Sequence, residues 1–363
     1  MTIPTFDQCV VEVHAGNVGM RESACGNFVI FNYRPTLAHA PREAWNEVNK
    51  WCRGLIFDLN TRERIAIPFK KFWGIGQHPE ATLDIISKKN IRLAVEKMDG
   101  SLGICFWDNY QGKPRVATRG SFQSDQAVWA TTWIQHHATD VTCAWLRNSG
   151  TILAEIIYAD NRIVVNYGDW EGLSLLAAVL PGQDHSKHPS FFFGDHPVIS
   201  AASSAWKRPE IQTKGMVLAH FAELAKTLDG NKEGWVLVLE DDQLIKIKGD
   251  QYLQMHRLRF NLTRKTIREA LTEGLDPMGT IPSGFPDEWL AEVDTIAQDL
   301  KGLHSATAAT IEPTVAGVRS LATRKDQAFV INDMLPAKLR GAAFALLDQN
   351  MEEYARLIWN SIE

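Results

Sequence analysis

The chain has little of what would tie it to an oxidising compartment, a membrane or a metal cluster. Its 363 residues include five cysteines. These, Cys9, Cys25, Cys52, Cys105 and Cys143, are odd in number, far apart and without a CxxC pair. That excludes a disulfide framework and a zinc-ligand spacing, so they read as reduced core thiols of a cytosolic protein. Apolar runs are short and broken by charge, which excludes a transmembrane helix. The first residues lack a basic stretch followed by a long apolar one, so no secretory signal is expected. No segment is low in complexity or disordered in composition. Phosphate-binding loops of the GxxxxGK[ST] and GxGxxG types are missing as well. Net charge is −5, which leaves nucleic-acid contact only to a local basic groove. His136-His137 and His185-x-x-His188 have no neighbouring Cys and no HExxH pattern, so they read as loop or surface histidines.

What remains is an ordinary core supply, 45% hydrophobic with twelve tryptophans, and a strand-rich first part. Strands are expected at Gly26 to Tyr33, Cys52 to Asp58, Arg64 to Pro68, Arg92 to Val95, Leu102 to Trp107 and Arg115 to Thr118. Further strands are expected at Thr151 to Tyr158, Arg162 to Tyr167, Leu173 to Val179, Lys232 to Leu239 and Leu244 to Lys248, the last two joined by a hairpin at Asp241-Asp242. Helical spacing covers Ser124 to His136, with Ser124 as cap, and Met216 to Leu228. After about residue 254 the pattern is helical throughout: Arg257 to Leu271, Pro286 to Leu303 (Trp289, Val293, Ile296, Leu300 and Leu303 at spacings of four and three), Pro336 to Leu347 and Met351 to Ile362. Asp333 and Asp348 are candidate caps. The boundaries expected are therefore 1–254 and 255–363.

Chemistry enters through isolated polar residues. Glu96-Lys97-Met98-Asp99-Gly100-Ser101 follows the apolar run Ile91 to Val95. On its own it reads as an Asp-Gly turn with a lysine beside it. Glu155 interrupts an apolar strand and Glu233 opens another. Lys246 and Lys248, two apart, share one strand face, which is either open to solvent with inter-strand ion pairs or turned inward. Unpaired buried charge is costly, so carboxylates and lysines on inner faces ask for each other or for a charged ligand. With Lys97, Arg53, Lys71 and Arg119, the cations suggest a phosphate-rich ligand, and the carboxylates suggest Mg²⁺ and sugar hydroxyls. In the tail Arg257, Arg259, Arg264, Lys265 and Arg268 form either an RNA-phosphate contact or a solvated helix face.

In order, Lys97-Met98-Asp99-Gly100-Ser101, Glu155 in its strand, Glu233-Gly234-Trp235-Val236-Leu237 and Lys246-Ile247-Lys248 resemble the motifs of covalent nucleotidyltransferases, the ATP-dependent ligases and mRNA capping enzymes. Cys52-Arg53-Gly54-Leu55-Ile56-Phe57, Lys71-Phe72-Trp73 (a KFF segment with Trp for the second Phe), Arg119-Gly120-Ser121 (a KGS segment with Arg for Lys), Asp160-Asn161-Arg162-Ile163-Val164 and Tyr252 are similar to the phage T4-type RNA ligase 1 family over about residues 28 to 255. The resemblance implies an α+β fold: a nucleotidyltransferase (ATP-grasp-like ligase) domain of antiparallel sheets with flanking helices, followed by an all-helical C-terminal domain linked with RNA or tRNA recognition. It implies ATP with Mg²⁺ (or Mn²⁺), RNA ends as substrate, a monomer, and the cytoplasm of a bacterial or phage-infected cell. Lys97 is implied as the nucleophile that takes AMP, with Lys246, Lys248 and Arg53 in catalysis. Nucleotide contacts are implied for Glu96, Asp99, Gly100, Lys71, Arg119, Glu155, Glu233 and Tyr252, and metal contacts for Glu155 and Glu233. Cations beside Lys97 are expected to lower its pKa from about 10.4. Two other readings share these motifs: a GTP-dependent capping-type guanylyltransferase, and an inactive RNA-binding nucleotidyltransferase fold.

Overall fold

A computed structural model describes residues 3–38, 42–180, 190–194, 198, 205–213, 217–277 and 287–362, without the side chains at 38, 42, 257, 260 and 287–292. His185, His188, Met216, Pro286 and the side chains of Arg257 and Trp289 thus lie outside the described residues. The chain forms two compact units, Met1–Leu253 and Gln254–Glu363.

The first unit is built from strands β1 (Val18–Glu22), β2 (Phe28–Tyr33), β3 (Arg53–Asp58), β4 (Arg64–Ala66), β5 (Trp73–Gly74), β6 (Ile91–Lys97) and β7 (Ser101–Asp108). They are followed by β8 (Lys113–Thr118), β9 (Thr151–Ile157), β10 (Gly172–Leu180), β11 (Ser190–Phe192), β12 (Ile211–Gln212), β13 (Gly234–Leu239) and β14 (Leu244–Lys248). They make three sheets, ordered β1-β2-β3-β4, β11-β10-β9-β7-β8 and β12-β6-β13-β14-β5. All pairings are antiparallel except β14 with β5.

Alternation of apolar residues sets the layers. Phe31, Leu55 and Phe57 of the first sheet share a core with Ile104, Phe106, Leu153 and Val179 of the second. The second sheet's other face is covered by helix Asp125–His137, whose Ala130 and Ile134 pack with Cys105, Val116, Ile152 and Ala154. Ser124 caps that helix by accepting from Ala127 N. The third sheet packs Trp235, Leu237, Ile245 and Ile247 under Phe221 and Ala225 of helix Leu218–Thr227. Each fully buried Leu, Ile or Phe contributes roughly 1.5–3 kcal/mol.

Several expectations change. Residues 162–167 form no strand. The backbone N–H groups of Val164 and Val165 donate to the Asp99 carboxylate at 2.8 and 2.9 Å, so no ladder partner takes them. Helix Phe6–His14 was not expected, though its Phe6, Cys9, Val10 and Val13 follow helical spacing. Its Thr5–Gln8 capping box is complete, and Phe6 stands edge-on to Phe31 and Phe57. Helix Asp140–Arg147 was missed too. Cys25 is exposed rather than core, whereas Cys9, Cys52 and Cys105 are buried.

In the second unit the basic helix is two helices, ending at Asn261 and restarting at Arg264, because Thr263 caps the second by accepting from Thr266 N. The following helix runs on to Val318 with Pro313 inside it. Helix Arg324–Met334, capped by Thr323, was not expected. Neither Asp333 nor Asp348 is an N-cap, and Asp348 instead stands at the C-cap of Ala337–Leu347. Pro336 precedes Ala337–Leu347, and Asn350 caps Met351–Ser361 through Glu353 N. A shared core of Ile267, Leu300, Ile311, Val315, Ile331, Ala343 and Ile358 joins these helices.

Candidate active site

Lys97 is the last residue of β6 in the third sheet, and Ser101 is the first of β7 in the second. The Met98-Asp99-Gly100 segment is therefore a crossing between sheets, not a hairpin turn. At Gly100 a Cβ would lie 2.5 Å from Ile156 O on β9, so only glycine passes the chain that close.

Register does the rest. Lys97 pairs with Gly234, and Gly234 with Lys248. In the next row of the same face, Val95 pairs with Val236 and Val236 with Lys246. Lys97, Lys246 and Lys248 thus share one face, and the inward reading of Lys246 and Lys248 holds. Gly234 has φ +143°, and a Cβ there would meet Ile247 O at 2.0 Å. Glycine at this point lets Glu233 turn in behind the row. Its carboxylate, 3% exposed, accepts from Lys97 Nζ at 2.6 Å and ion-pairs with Lys248 Nζ at 2.8 Å.

Lys97, Lys246 and Lys248 line a cavity of about 820 Å³ together with Glu96, Gly100, Leu102, Glu155 and Leu176, and with Asn32, Tyr33 and Arg53 from the first sheet. Lys71 and Arg119 line it too. At this second end the cations gather on Tyr33. Arg119 Nη1 donates to its hydroxyl at 3.0 Å. Lys71 Nζ sits 5.4 Å from the rings of Tyr33 and Trp45 and 5.8 Å from that of Trp73. Arg53 and Lys246 lie over Phe72 at 5.6 and 5.9 Å. No carboxylate pairs with Arg53, Lys71, Arg119 or Lys246 among the described residues.

Protonation follows this division. Burial pushes the Lys246 ammonium down, and Lys71, Lys248, Lys97 and Arg53 push it further, to about 7. Lys71 is lowered by burial and by Arg53 and Arg119 against the pull of Tyr33. Burial raises the Tyr33 phenol, but Arg119, Lys71 and Arg53 outweigh it and leave it lowered. Lys97 goes the other way from expectation. Burial lowers it, yet Glu233, Glu155 and Asp99 hold the proton and the net shift is upward. The neighbouring cations do not free this amine before a ligand arrives. Burial raises the Glu155 carboxyl to about 8, against Lys97 and with the help of Glu233 and Asp99.

Like Glu233, two more of the residues named from sequence stand behind the cavity wall. Asp99, 3% exposed, accepts from Val164 N, Val165 N and, at 2.7 Å, from the Tyr252 hydroxyl. Its own N–H donates to the Tyr167 hydroxyl at 2.7 Å. Asp99 and Tyr252 thus meet each other and lock the residues after Lys97. Glu96 lines the cavity, and its carboxylate accepts from Glu210 N at 3.2 Å. Sequence reasoning missed Tyr33, the last residue of the strand that carries Asn32, and Phe72, noted only as part of a segment.

No group of three or more His, Cys, Asp and Glu side chains suited to a metal occurs among the described residues. Glu155 has no hydrogen bond or ion pair there, whereas both Glu233 oxygens are engaged. That donor set would suit Mg²⁺ held by one carboxylate and by substrate phosphates, Glu155 being the residue able to hold it. His136 and His137 bond the carbonyls of Thr132 and Trp133 in their own helix. In the tail, Arg264 pairs with Asp299 at 2.7 Å, Lys265 with Glu269 at 3.8 Å, and Arg268 donates to Ile362 O at 2.5 Å. No helix among the described residues is long and apolar enough to cross a membrane.

The chain is similar in fold to two solved forms of an archaeal ATP-dependent RNA ligase, at 14% and 13% identity and TM-scores of 0.47 and 0.48. In both cases 84% of this chain and 80% of the other are covered. Residues 51–259 match the T4-type family model described as RNA ligase. That match spans more than half of the sequence and holds Lys97, Glu155, Glu233, Lys246 and Lys248, so the chain belongs to the RNA ligase family.

Proposed function

We propose that this RNA ligase is ATP-dependent and seals an RNA 3′-hydroxyl to a 5′-phosphate in three steps, acting on broken RNA such as nicked tRNA. The observation that carries the reading is Lys97 at a sheet-to-sheet crossing, held by Glu233 at 2.6 Å, in a cavity whose other end is a cation cluster without ion-paired carboxylates among the described residues. Arg53, Lys71, Arg119 and Lys246 bind the triphosphate and draw charge from the α-phosphoryl oxygens. Lys97 loses its proton, for which the Glu233 carboxylate is the bonded acceptor. Its Nζ then attacks the α-phosphorus, a P–N bond forms, and the P–O bond to pyrophosphate breaks. Lys248 stays paired with Glu233 and keeps positive charge beside the new lysyl-AMP. An oxygen of the RNA 5′-phosphate next displaces the lysine, which leaves as the amine and is reprotonated. The 3′-hydroxyl attacks that activated 5′-phosphate and AMP departs. Mg²⁺, held by Glu155 and the phosphates, supplies further charge neutralisation when bound. Asp99 and Tyr252 act here through position alone, and the helical unit is read as the part that recognises the body of the RNA.

The test is incubation with α-labelled ATP or GTP and Mg²⁺, followed by denaturation. Label retained from ATP and absent in Lys97→Ala is expected. Label from GTP alone would replace the reading with a capping-type one.

A further inference from the structure

The cavity wall from the β1–β4 sheet carries a side chain that none of these steps uses. Asn32 pairs with Arg53 across the β2–β3 ladder and lines the cavity. Its Oδ1 is buried and has no hydrogen-bond partner among the described residues, and the same is true of Arg53 Nη1. Folded proteins leave few buried polar atoms unpaired, so such an atom at a cavity wall points to a ligand. The Asn32 amide also sits against the backbone of the Arg119-Gly120 turn, where a Cβ on Gly120 would lie 3.3 Å from Nδ2. A neutral acceptor and a cationic donor therefore lie unpaired beside the cavity, in one cross-strand pair whose residues both line it. Their complement is a hydroxyl close to a phosphate, which a ribonucleotide strand end provides and a deoxyribonucleotide end lacks at the 2′ position.

Two sugars enter this reaction. The nucleotide is served from the second and third sheets, where Glu155, assigned above to the metal, interacts with Lys97. An in-line displacement brings the attacking oxygen from the side away from the leaving AMP, and Asn32 stands on a different sheet from Lys97 and Glu155. We infer that Asn32 accepts a hydrogen bond from the terminal ribose 2′-hydroxyl of the RNA strand that supplies the 3′-hydroxyl, and so selects RNA over DNA at that end. The inference rests on the ligase reading above and sharpens it.

The experiment supplies the enzyme with a 5′-adenylated RNA strand and an acceptor ending in a ribo- or a 2′-deoxyribonucleotide. Wild type is expected to seal the ribo end at least tenfold faster, as for a site built to bond a hydroxyl. Asn32→Ala is expected to slow the ribo end alone and bring the ratio within about twofold. Its melting temperature reports whether the fold survives, and Asn32→Ser carries the same comparison if it does not. An unchanged ratio overturns the inference. So does a change that appears instead between ATP and 2′-deoxy-ATP in forming lysyl-AMP, since Asn32 would then read the nucleotide. Wild type that forms no lysyl-AMP from ATP would sink the ligase reading itself, whereas sealing with an unaltered ratio in Asn32→Ala sinks only this one.

Discussion

The two ends of the cavity hold the same kinds of side chain in opposite electrostatic states. At one end Glu233 lies between Lys97 and Lys248, 2.6 and 2.8 Å from their ammonium groups. At the other, Arg53, Lys71, Arg119 and Lys246 have no ion pair among the described residues and gather near Tyr33 and the rings around it, with Glu155 acting on Arg53 without a bond. A compensated lysine keeps its proton, as Lys97 does. An uncompensated one is pushed to about 7, as Lys246 is. On the reading proposed above, the cation end is a preformed anion trap that gains when polyphosphate enters. The lysine end is an amine held in place and still protonated, the state from which the proposed nucleophile must start.

The largest expected effect comes from removing the held amine. Lys97→Ala should lower lysyl-AMP formation on the order of 10⁴-fold or more, measured with labelled ATP. Residual labelling close to wild type would mean that the compensated lysine is not the nucleophile. Next is Glu233→Gln, which leaves two close ammonium groups without their carboxylate. Because both lysines are partly exposed, the loss should be about 2–3 kcal/mol in urea unfolding at pH 7. An unaltered midpoint would erase the distinction between the two ends.

Behind the wall, Tyr252→Phe removes one of three bonds to Asp99 and should cost about 1–2 kcal/mol by the same measurement. The smallest effect sharpens the cation end. Lys246 is charged below about 7 in the free protein and neutral above it. Anion binding restores its charge, so binding of inorganic pyrophosphate at pH 8 should take up about one proton more in wild type than in Lys246→Met. At pH 6 the two should agree. Calorimetry in buffers of different ionisation enthalpy measures this, and equal uptake at pH 8 would count against the depressed lysine.

Much of the first unit was legible because its strands are short apolar runs with polar residues at informative places. Glu155 stood out in Thr151–Ile157, and the spacing of Lys246 and Lys248 gave their common face. The crossing at Met98–Gly100 was not legible, because Asp-Gly serves a hairpin and a sheet change equally well. The loop at 162–167 read as a strand because Ile163-Val164-Val165 has strand composition. A carboxylate 65 residues earlier in the chain takes its N–H groups, and nothing local announces that. The basic tail was ambiguous for a similar reason. Whether Arg264 faces RNA or Asp299 depends on a helix 35 residues away in sequence. The direction of the Lys97 shift was missed because charge counting saw its cations and not the carboxylate turned in behind Gly234.

The row Lys97–Gly234–Lys248 has a consequence for how the enzyme comes into being. Lys97 and Glu233 are 136 residues apart in sequence, and their contact needs β6, β13 and β14 in register and two sheets joined through Gly100. Contacts of such long range form slowly, after loop closure has been paid for. Competence to accept AMP should therefore be among the last properties to return on refolding, later than helix content, which makes the adenylated lysine a clock for completion of the fold.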